Sequence, residues 1–168
     1  RHYSHVTESF PLLQARTRRF TLGAPTDFTI SPDGERVAFL QSTSATDPVK
    51  RLMIAQVADP IVATAAADPG ELLTSSEEVS PAEKARRERL RESGAGIVSY
   101  STDEALTVAA FGLSGFVGVA NLGDRPGESR ARLLDVAGPA IDPQVDPSGS
   151  RVAWVADGSL YVAALSGD

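Results

Sequence analysis

The residues that could support hydrolytic chemistry in this 168-residue chain are one glycine-flanked serine and two histidines. Gly112-Leu-Ser114-Gly-Phe116 partly matches the Gly-x-Ser-x-Gly nucleophile elbow, which needs both glycines because its strained turn crowds the backbone. Phe116 replaces the last glycine, and the segment lies within a β-strand pattern. His2 and His5 lie near the first residue, so no Ser-His-Asp triad can be assembled around Ser114. We therefore predict no catalytic residue.

Patterns that could hold a metal or cofactor are equally incomplete. His2 and His5 are three apart, as two ligands on a helix would be, but no carboxylate follows at a zinc-site spacing. Gly94-Ala-Gly96 half-matches a dinucleotide-binding loop, yet a predicted helix precedes it rather than follows it. The segment Asp142–Gly149 has prolines at two positions of a calcium loop and lacks the closing Glu. Without cysteine, thiolate sites and disulfides are excluded. We predict no metal and no cofactor.

Two charged groups remain as binding candidates. Glu77 and Glu78 form a carboxylate pair that could capture a substrate amine, but an acidic approach to the positive end of a helix explains them as well. Four arginines occur between Arg86 and Arg91, diluted by glutamates, which is typical of a solvated helix face. The net charge of −6 argues against a nucleic-acid or anionic-membrane partner.

Composition predicts an ordinary globular chain. Hydrophobic residues make up 42% and charged residues 23%. The longest mixed apolar stretch, Leu106–Leu122, is interrupted by glycines and is no membrane span. The absence of cysteine fits a cytoplasmic location and is also compatible with secretion or a periplasmic site. Because the sequence starts with Arg1 rather than Met and shows no apolar signal-type segment, we expect residue 1 not to be the first codon.

An internal repeat organises the elements around these candidates. Asp27–Leu40 reads DFTISPDGERVAFL and Asp142–Val155 reads DPQVDPSGSRVAWV. The two segments share Pro, Gly and Arg-Val-Ala-aromatic at a constant offset of 115, as from Pro32 to Pro147. A looser third copy lies at Tyr100–Phe111. Repeats of this kind predict an array of similar units.

Each copy predicts a strand, a tight turn and a second strand. Proline and glycine favour the turn, and a β-branched and aromatic strand follows it. The predicted strands are Val37–Leu40, Thr107–Phe111 and Val152–Val155. Asp157-Gly158 then predicts another turn, leading into a strand at Ser159–Leu165. Small antiparallel sheets at this spacing favour β-propeller blades over a β-sandwich, the alternative that remains.

The middle of the chain departs from the repeat. The Ala-, Asp- and Pro-rich stretch 60–70 is predicted as a loop. A helix is predicted near residues 80–93, with Ser80 as its N-cap, Pro81 in the first turn and Glu83 completing a capping box. Its few apolar residues, chiefly Leu90, allow burial of a thin stripe, so the helix is interpreted as a surface insertion between blades.

Three segments together carry a family resemblance. They are Phe28–Leu40, the stretch RESGAGIVSYSTD at Arg91–Asp103, and VAWVADGSLYV at Val152–Val162. The combination resembles the bacterial dipeptidyl peptidase IV-like branch of the prolyl oligopeptidase family of serine peptidases, over about Phe20 to Asp168. The helix with its Gly-Ile-Val-Ser-Tyr exit is the more specific part, since Pro-Asp-Gly turns occur in many propellers.

The resemblance implies an eight-bladed propeller followed by an α/β-hydrolase domain with a Ser-Asp-His triad. Family members release dipeptides from peptide N-termini, often after Pro or Ala, and a Glu pair of the propeller holds the substrate amine. That pair would lie just beyond Asp168; Glu77 and Glu78 come two repeats too early. No arginine here can be aligned with the family arginine that contacts the substrate carbonyl.

The chain is accordingly predicted as all-β, about three blades of an N-terminal propeller covering residues 1–168, with the catalytic domain absent. By itself it should be inactive. Its predicted partners are the rest of the propeller, the hydrolase domain and peptide substrates, with possible self-association through unpaired blade edges. The alternative function is a TolB-like propeller acting as a protein-binding scaffold, since such proteins share the Ser-Pro-Asp-Gly repeat.

Overall fold

The structure is a computed structural model that describes residues 9–74, 96–136 and 139–165. The predicted helix near residues 80–93, the Glu77-Glu78 pair and both histidines lie outside these residues. In chain order the elements are α1 (Phe10–Arg16), β1 (Thr26–Ile30), β2 (Arg36–Ser42), β3 (Lys50–Gln56), β4 (Val62–Ala67), α2 (Pro69–Thr74), β5 (Tyr100–Thr102), β6 (Val108–Leu113), β7 (Phe116–Asn121), β8 (Arg130–Leu133), β9 (Ile141–Val145), β10 (Arg151–Ala156) and β11 (Ser159–Ala164).

The strands form three antiparallel sheets in which chain neighbours are also sheet neighbours. We name them blade 1 (β1-β2-β3-β4), blade 2 (β5-β6-β7-β8) and blade 3 (β9-β10-β11). Consecutive small antiparallel sheets packed face to face are the architecture of a β-propeller. The predicted all-β fold, a partial propeller of about three blades, is thus confirmed.

The repeated sequence is the first hairpin of each blade, β1–β2, β5–β6 and β9–β10. Gly34 and Gly149 have φ of +75° and +71°, which glycine adopts without a steric cost. Leu106 stands in the same place in blade 2 with φ of +56°, so the glycine that marks the other two copies is missing from the third. The predicted Asp157-Gly158 turn is also confirmed, with positive φ at both residues.

Blade 2 lies between the other two and buries both faces. Ala109 and Phe111 of β6 belong to the core shared with blade 1. Ala110, the residue between them, belongs to the core shared with blade 3. This alternation follows from the two-residue period of a strand. It makes β6 and β7 almost continuously apolar, as expected for strands buried on both faces.

The prediction of a loop at residues 60–70 is wrong. Residues 62–67 form β4, which pairs antiparallel with β3, and α2 begins at Pro69. Alanine has little intrinsic preference for strands, so the composition favoured a loop. Residues 62–67 nevertheless adopt a strand because they pair with the edge of β3. Ala66 and Ala67 are small enough to be buried in the core between blades 1 and 2.

Candidate functional site

The three turns of the repeated hairpins share one hydrogen-bonding design. Ser31, Asp103 and Asp146 begin the turns, and each side chain accepts a hydrogen bond from a backbone N–H five residues later. The distances are 2.9 Å from Arg36 N to Ser31 Oγ, 2.8 Å from Val108 N to Asp103 Oδ1, and 2.9 Å from Arg151 N to Asp146 Oδ1. In each turn, a short polar side chain therefore accepts a backbone hydrogen bond that spans the turn and stabilises it.

These turns touch one another and form a continuous row, which we call the turn row (residues 31–36, 103–108 and 146–151). The Arg36 guanidinium donates to the backbone oxygen of Ala105 at 3.2 Å. Glu104 N–H donates to the backbone oxygen of Pro147 at 3.1 Å. Contacts between neighbouring blades at both junctions therefore place all three turns along the same edge of the row of blades.

The turn row is acidic. Hydrogen bonds from the Ser31 hydroxyl and the Glu35 N–H hold the pKa of Asp33 below its usual value. Hydrogen bonds from the Ser148 hydroxyl and the Arg151 N–H lower the pKa of Asp146 in the same way. Both carboxylates therefore stay charged at neutral pH, on an edge suited to cationic groups rather than to phosphate.

The turn row contains two arginines, Arg36 and Arg151, and Arg36 links blades 1 and 2. Its guanidinium also contacts Asp124 Oδ1 at 3.1 Å, in the loop between β7 and β8. The Gln56 side-chain amide donates to the backbone oxygen of the same aspartate. Arg36 of blade 1 thus contacts two groups of blade 2, the Ala105 backbone oxygen and the Asp124 carboxylate. These contacts fix the turns of blades 1 and 2 relative to each other.

Blades 1 and 2 are also linked away from the turn row, through a partly buried tyrosine, Tyr100. Asp27 has φ of +58° and lies at a β-bulge where the pairing of β1 with β2 shifts. Tyr100 of β5 contacts this bulge: its Oη is 2.6 Å from the Asp27 backbone oxygen and 2.9 Å from that of Ala38. Burial raises the pKa of the Tyr100 hydroxyl, so the hydroxyl stays protonated and can donate a hydrogen bond.

Blades 2 and 3 have a simpler link, in which the Ser101 hydroxyl donates to the Pro143 backbone oxygen at 3.1 Å.

Ser114 lies in the tight turn between β6 and β7, with φ of 53° followed by 88° at Gly115. A strand-turn-strand context differs from the strand-to-helix turn of a nucleophile elbow. That this chain contributes no catalytic residue stays a prediction. Among the described residues, no three His, Cys, Asp or Glu side chains are grouped as metal ligands would be. No helix in the same part of the chain is long and apolar enough to cross a bilayer.

Sequence reasoning missed the groups that connect the blades. Tyr100 and Asp103 were visible only as parts of the loose third repeat. Aligning Asp103 with Ser31 and Asp146 indicates its role in the turn, but Tyr100 aligns with Phe28 and Pro143, which have no hydroxyl. Arg51 was also missed. Burial opposes its charge, but the Asp68 carboxylate at 2.5 Å and then Asp47 outweigh this and raise the pKa of the guanidinium. No sequence signal marked that pairing, because β4 had not been predicted.

Comparison with known proteins gives similarities of fold. No family model matches the chain. It is similar to the β-propeller domain of Cps50 (Swd1) from Myceliophteria thermophila, with a TM-score of 0.48 and 11% identity over 86% of this chain and 39% of that one. It is also similar to hydrazine synthase from Kuenenia stuttgartiensis, with a TM-score of 0.43 and 9% identity over 86% of this chain and 46% of that one. The chain spans less than half the length of either structure.

Proposed function

We propose that this chain is a non-catalytic N-terminal propeller segment of a dipeptidyl peptidase IV-like serine exopeptidase. The observation that carries the proposal is the repeated hairpin. The segments that resemble the family, Phe28–Leu40 and Val152–Val162, coincide with parts of blades 1 and 3. The nucleophile, base and acid of the reaction would come from a hydrolase domain elsewhere in the full-length protein.

In this function the segment positions peptides rather than transforming them. The turn row is a rigid, acidic edge fixed by inter-blade hydrogen bonds from Arg36 and Glu104. A dipeptidyl peptidase must recognise the protonated N-terminus of its substrate, and an acidic rim raises the local concentration of such cations. Rigidity matters because small displacements of a bound substrate are costly to its reaction rate.

The test uses the full-length protein that contains this sequence. With a dipeptidyl p-nitroanilide bearing Pro or Ala at the second position, we expect turnover that a serine-directed inhibitor abolishes. The same assay on residues 1–168 should show none. Ser114→Ala in the full-length protein is the matched control and should leave the rate unchanged.

Two outcomes contradict the proposal. A full-length protein that has the circular dichroism of a folded β-protein but cleaves no dipeptidyl substrate would favour the TolB-like scaffold instead. Activity of the isolated chain that survives Ser114→Ala and disappears when Arg1–His5 are removed would show that a catalytic group had been overlooked there.

A further inference from the structure

Two Asp-Gly pairs occur in the sequence, Asp33-Gly34 and Asp157-Gly158, and each lies in a tight turn between two strands of one blade. Both glycines are left-handed, with φ of +75° at Gly34 and +74° at Gly158. A Cβ added to either glycine would meet no atom within 4 Å, so the space beside both glycines is open. All four residues are exposed. The two pairs therefore share their chemistry and their exposure to solvent.

The two aspartates differ in how their carboxylates are held. Asp33 Oδ1 accepts hydrogen bonds from Ser31 Oγ at 2.5 Å and from Glu35 N at 2.9 Å. These bonds hold the pKa of Asp33 below its usual value, so its neutral form is rare. Among the residues that the structure describes, none donates a hydrogen bond to the Asp157 carboxylate. Asp157 also has φ of +49°, a strained conformation for a residue with a Cβ, so it is held less firmly than Asp33.

We propose that Asp157 is a site of spontaneous isoaspartate formation and that the hydrogen bonds to Asp33 protect the other Asp-Gly pair. In the first step the Gly158 amide nitrogen attacks Cγ of the neutral Asp157 carboxyl group. Glycine favours this attack because no Cβ blocks the approach to its nitrogen. The N–Cγ bond forms, a Cγ–O bond breaks, and the oxygen leaves as water with the carboxyl and amide protons. The product is a five-membered succinimide ring.

Water then opens the succinimide ring at one of its two carbonyl carbons. Attack at Cγ restores Asp157. Attack at the main-chain carbonyl carbon breaks its bond to the Gly158 nitrogen, and the main chain then runs through Cβ and Cγ. No oxidant or reductant takes part, and the water lost in the first step is regained in the second. The α-carboxylate is now a free charged group, which an S-adenosylmethionine-dependent isoaspartyl methyltransferase can esterify.

The hairpin of β10 and β11 cannot accommodate this change without a shift in pairing. Ala156 pairs with Ser159 across the two-residue turn, and an additional main-chain carbon lengthens that turn. Farther along the same strands Trp154 stacks on Tyr161, with ring centroids 5.8 Å apart. We expect isoaspartate to disturb the pairing of this hairpin first. The inference does not depend on the proposed peptidase function.

The test uses the full-length protein that contains this sequence, aged for several weeks at neutral pH and physiological temperature. Its proteolytic peptides are fragmented by electron transfer, which distinguishes isoaspartate from aspartate at each site. We expect roughly tenfold more isoaspartate at Asp157 than at Asp33, the rate equivalent of one hydrogen bond that must first break. In concentrated urea, where neither turn persists, the two sites should convert at similar rates.

Two variants separate the causes. Asp157→Glu cannot close a five-membered ring, so the signal at this site should disappear while Asp33 is unchanged. Ser31→Ala removes one donor from the Asp33 carboxylate and should raise conversion at Asp33, with Asp157 as the internal reference.

Four results overturn the inference. They are equal conversion of both sites in the folded protein, protection of both sites relative to urea, a signal that persists in Asp157→Glu, and unchanged conversion of Asp33 in Ser31→Ala. Peptidase activity is measured in none of these experiments. A full-length protein that cleaves no dipeptidyl substrate would therefore contradict only the proposed function.

Discussion

The two blade junctions of this chain are built differently, although the same hairpin repeat forms both. Between blades 1 and 2 the core contains large side chains such as Leu52, Phe111 and Leu113, and Ile97 joins it from the segment before β5. Between blades 2 and 3 the buried core is mostly valine and alanine around one large residue, Trp154.

The outer parts of the junctions differ as well. At the first junction α2 closes the outer edge, with Leu72 and Leu73 buried against the core. At the second junction a groove of about 360 Å³ lies open beside Arg132, Trp154 and Tyr161. Among the described residues, no atom accepts a hydrogen bond from the buried Trp154 indole N–H. The strands therefore pack in a similar way at both junctions. The segments that connect the strands determine how much of each junction is covered from solvent.

The largest effect is expected from removing the aromatic side chain at the centre of the first junction. Phe111→Ala should lower the free energy of unfolding by about 3–5 kcal/mol, because the ring is fully buried and leaves a cavity. Urea denaturation followed by circular dichroism measures the change. Phe10→Ala, at an exposed position of α1, is the control and should cost less than about 1 kcal/mol. Equal losses in both variants would show that the first junction is not a packed core.

A glycine makes the position of that ring possible. A Cβ at Gly118 would lie 2.1 Å from Phe111 Cε2, so Gly118→Ala must displace the ring. We expect a loss of about 1–3 kcal/mol from overpacking. Gly112→Ala is the matched control in the same hairpin, since its Cβ would meet only Pro143 Cδ at 3.8 Å.

A double-mutant cycle sharpens this prediction. In a Phe111→Leu background, Gly118→Ala should cost clearly less, because the clashing ring atoms are gone. An equal cost in both backgrounds would place the strain in the backbone instead of between these two side chains.

The blade hairpins could be predicted from sequence because their turns are local. Pro32 and Gly34 restrict the backbone of their own turn, and a period-two apolar pattern gives the faces of the strand that follows. Strand β4 could not be predicted in this way, since an alanine-rich segment becomes a strand only through pairing with β3. The turn row was equally hidden, because Arg36 meets Asp124 and Ala105 only after two blades have packed.

A smaller effect is expected from loosening the helix that closes the first junction. Asp68 Oδ1 accepts a hydrogen bond from Gly70 N–H at 2.8 Å, and Oδ2 lies 2.5 Å from Arg51 Nε. Asp68→Ala removes the cap and the ion pair, and should cost about 1–2 kcal/mol. Faster hydrogen exchange at Leu72 N–H, which donates to the Asp68 backbone oxygen, would localise the effect to α2. Asp124→Ala, which removes an 88% exposed carboxylate from its pair with Arg36, should change stability by less than about 1 kcal/mol. A larger effect for Asp124 than for Asp68 would reverse the assignment.

The smallest effect is expected at the one large side chain of the second junction. Phe39 and Phe111 stand at the positions equivalent to Trp154, so a phenyl ring fits this place in a blade. Trp154→Phe loses some buried apolar area, but it also removes a buried indole N–H for which no described residue supplies an acceptor. An unsatisfied buried donor costs about 1–3 kcal/mol, so the two changes should nearly cancel. We expect the unaltered chain and Trp154→Phe to have unfolding free energies within about 1 kcal/mol of each other. The measurement uses circular dichroism, because Trp154 is the only tryptophan and the variant lacks tryptophan fluorescence.

Trp154→Ala, the reference for lost packing, should cost about 3–5 kcal/mol. A loss above about 3 kcal/mol for Trp154→Phe would mean that the indole N–H has a hydrogen-bond acceptor in solution. The buried polar groups of the second junction would then be hydrogen-bonded as completely as those of the first.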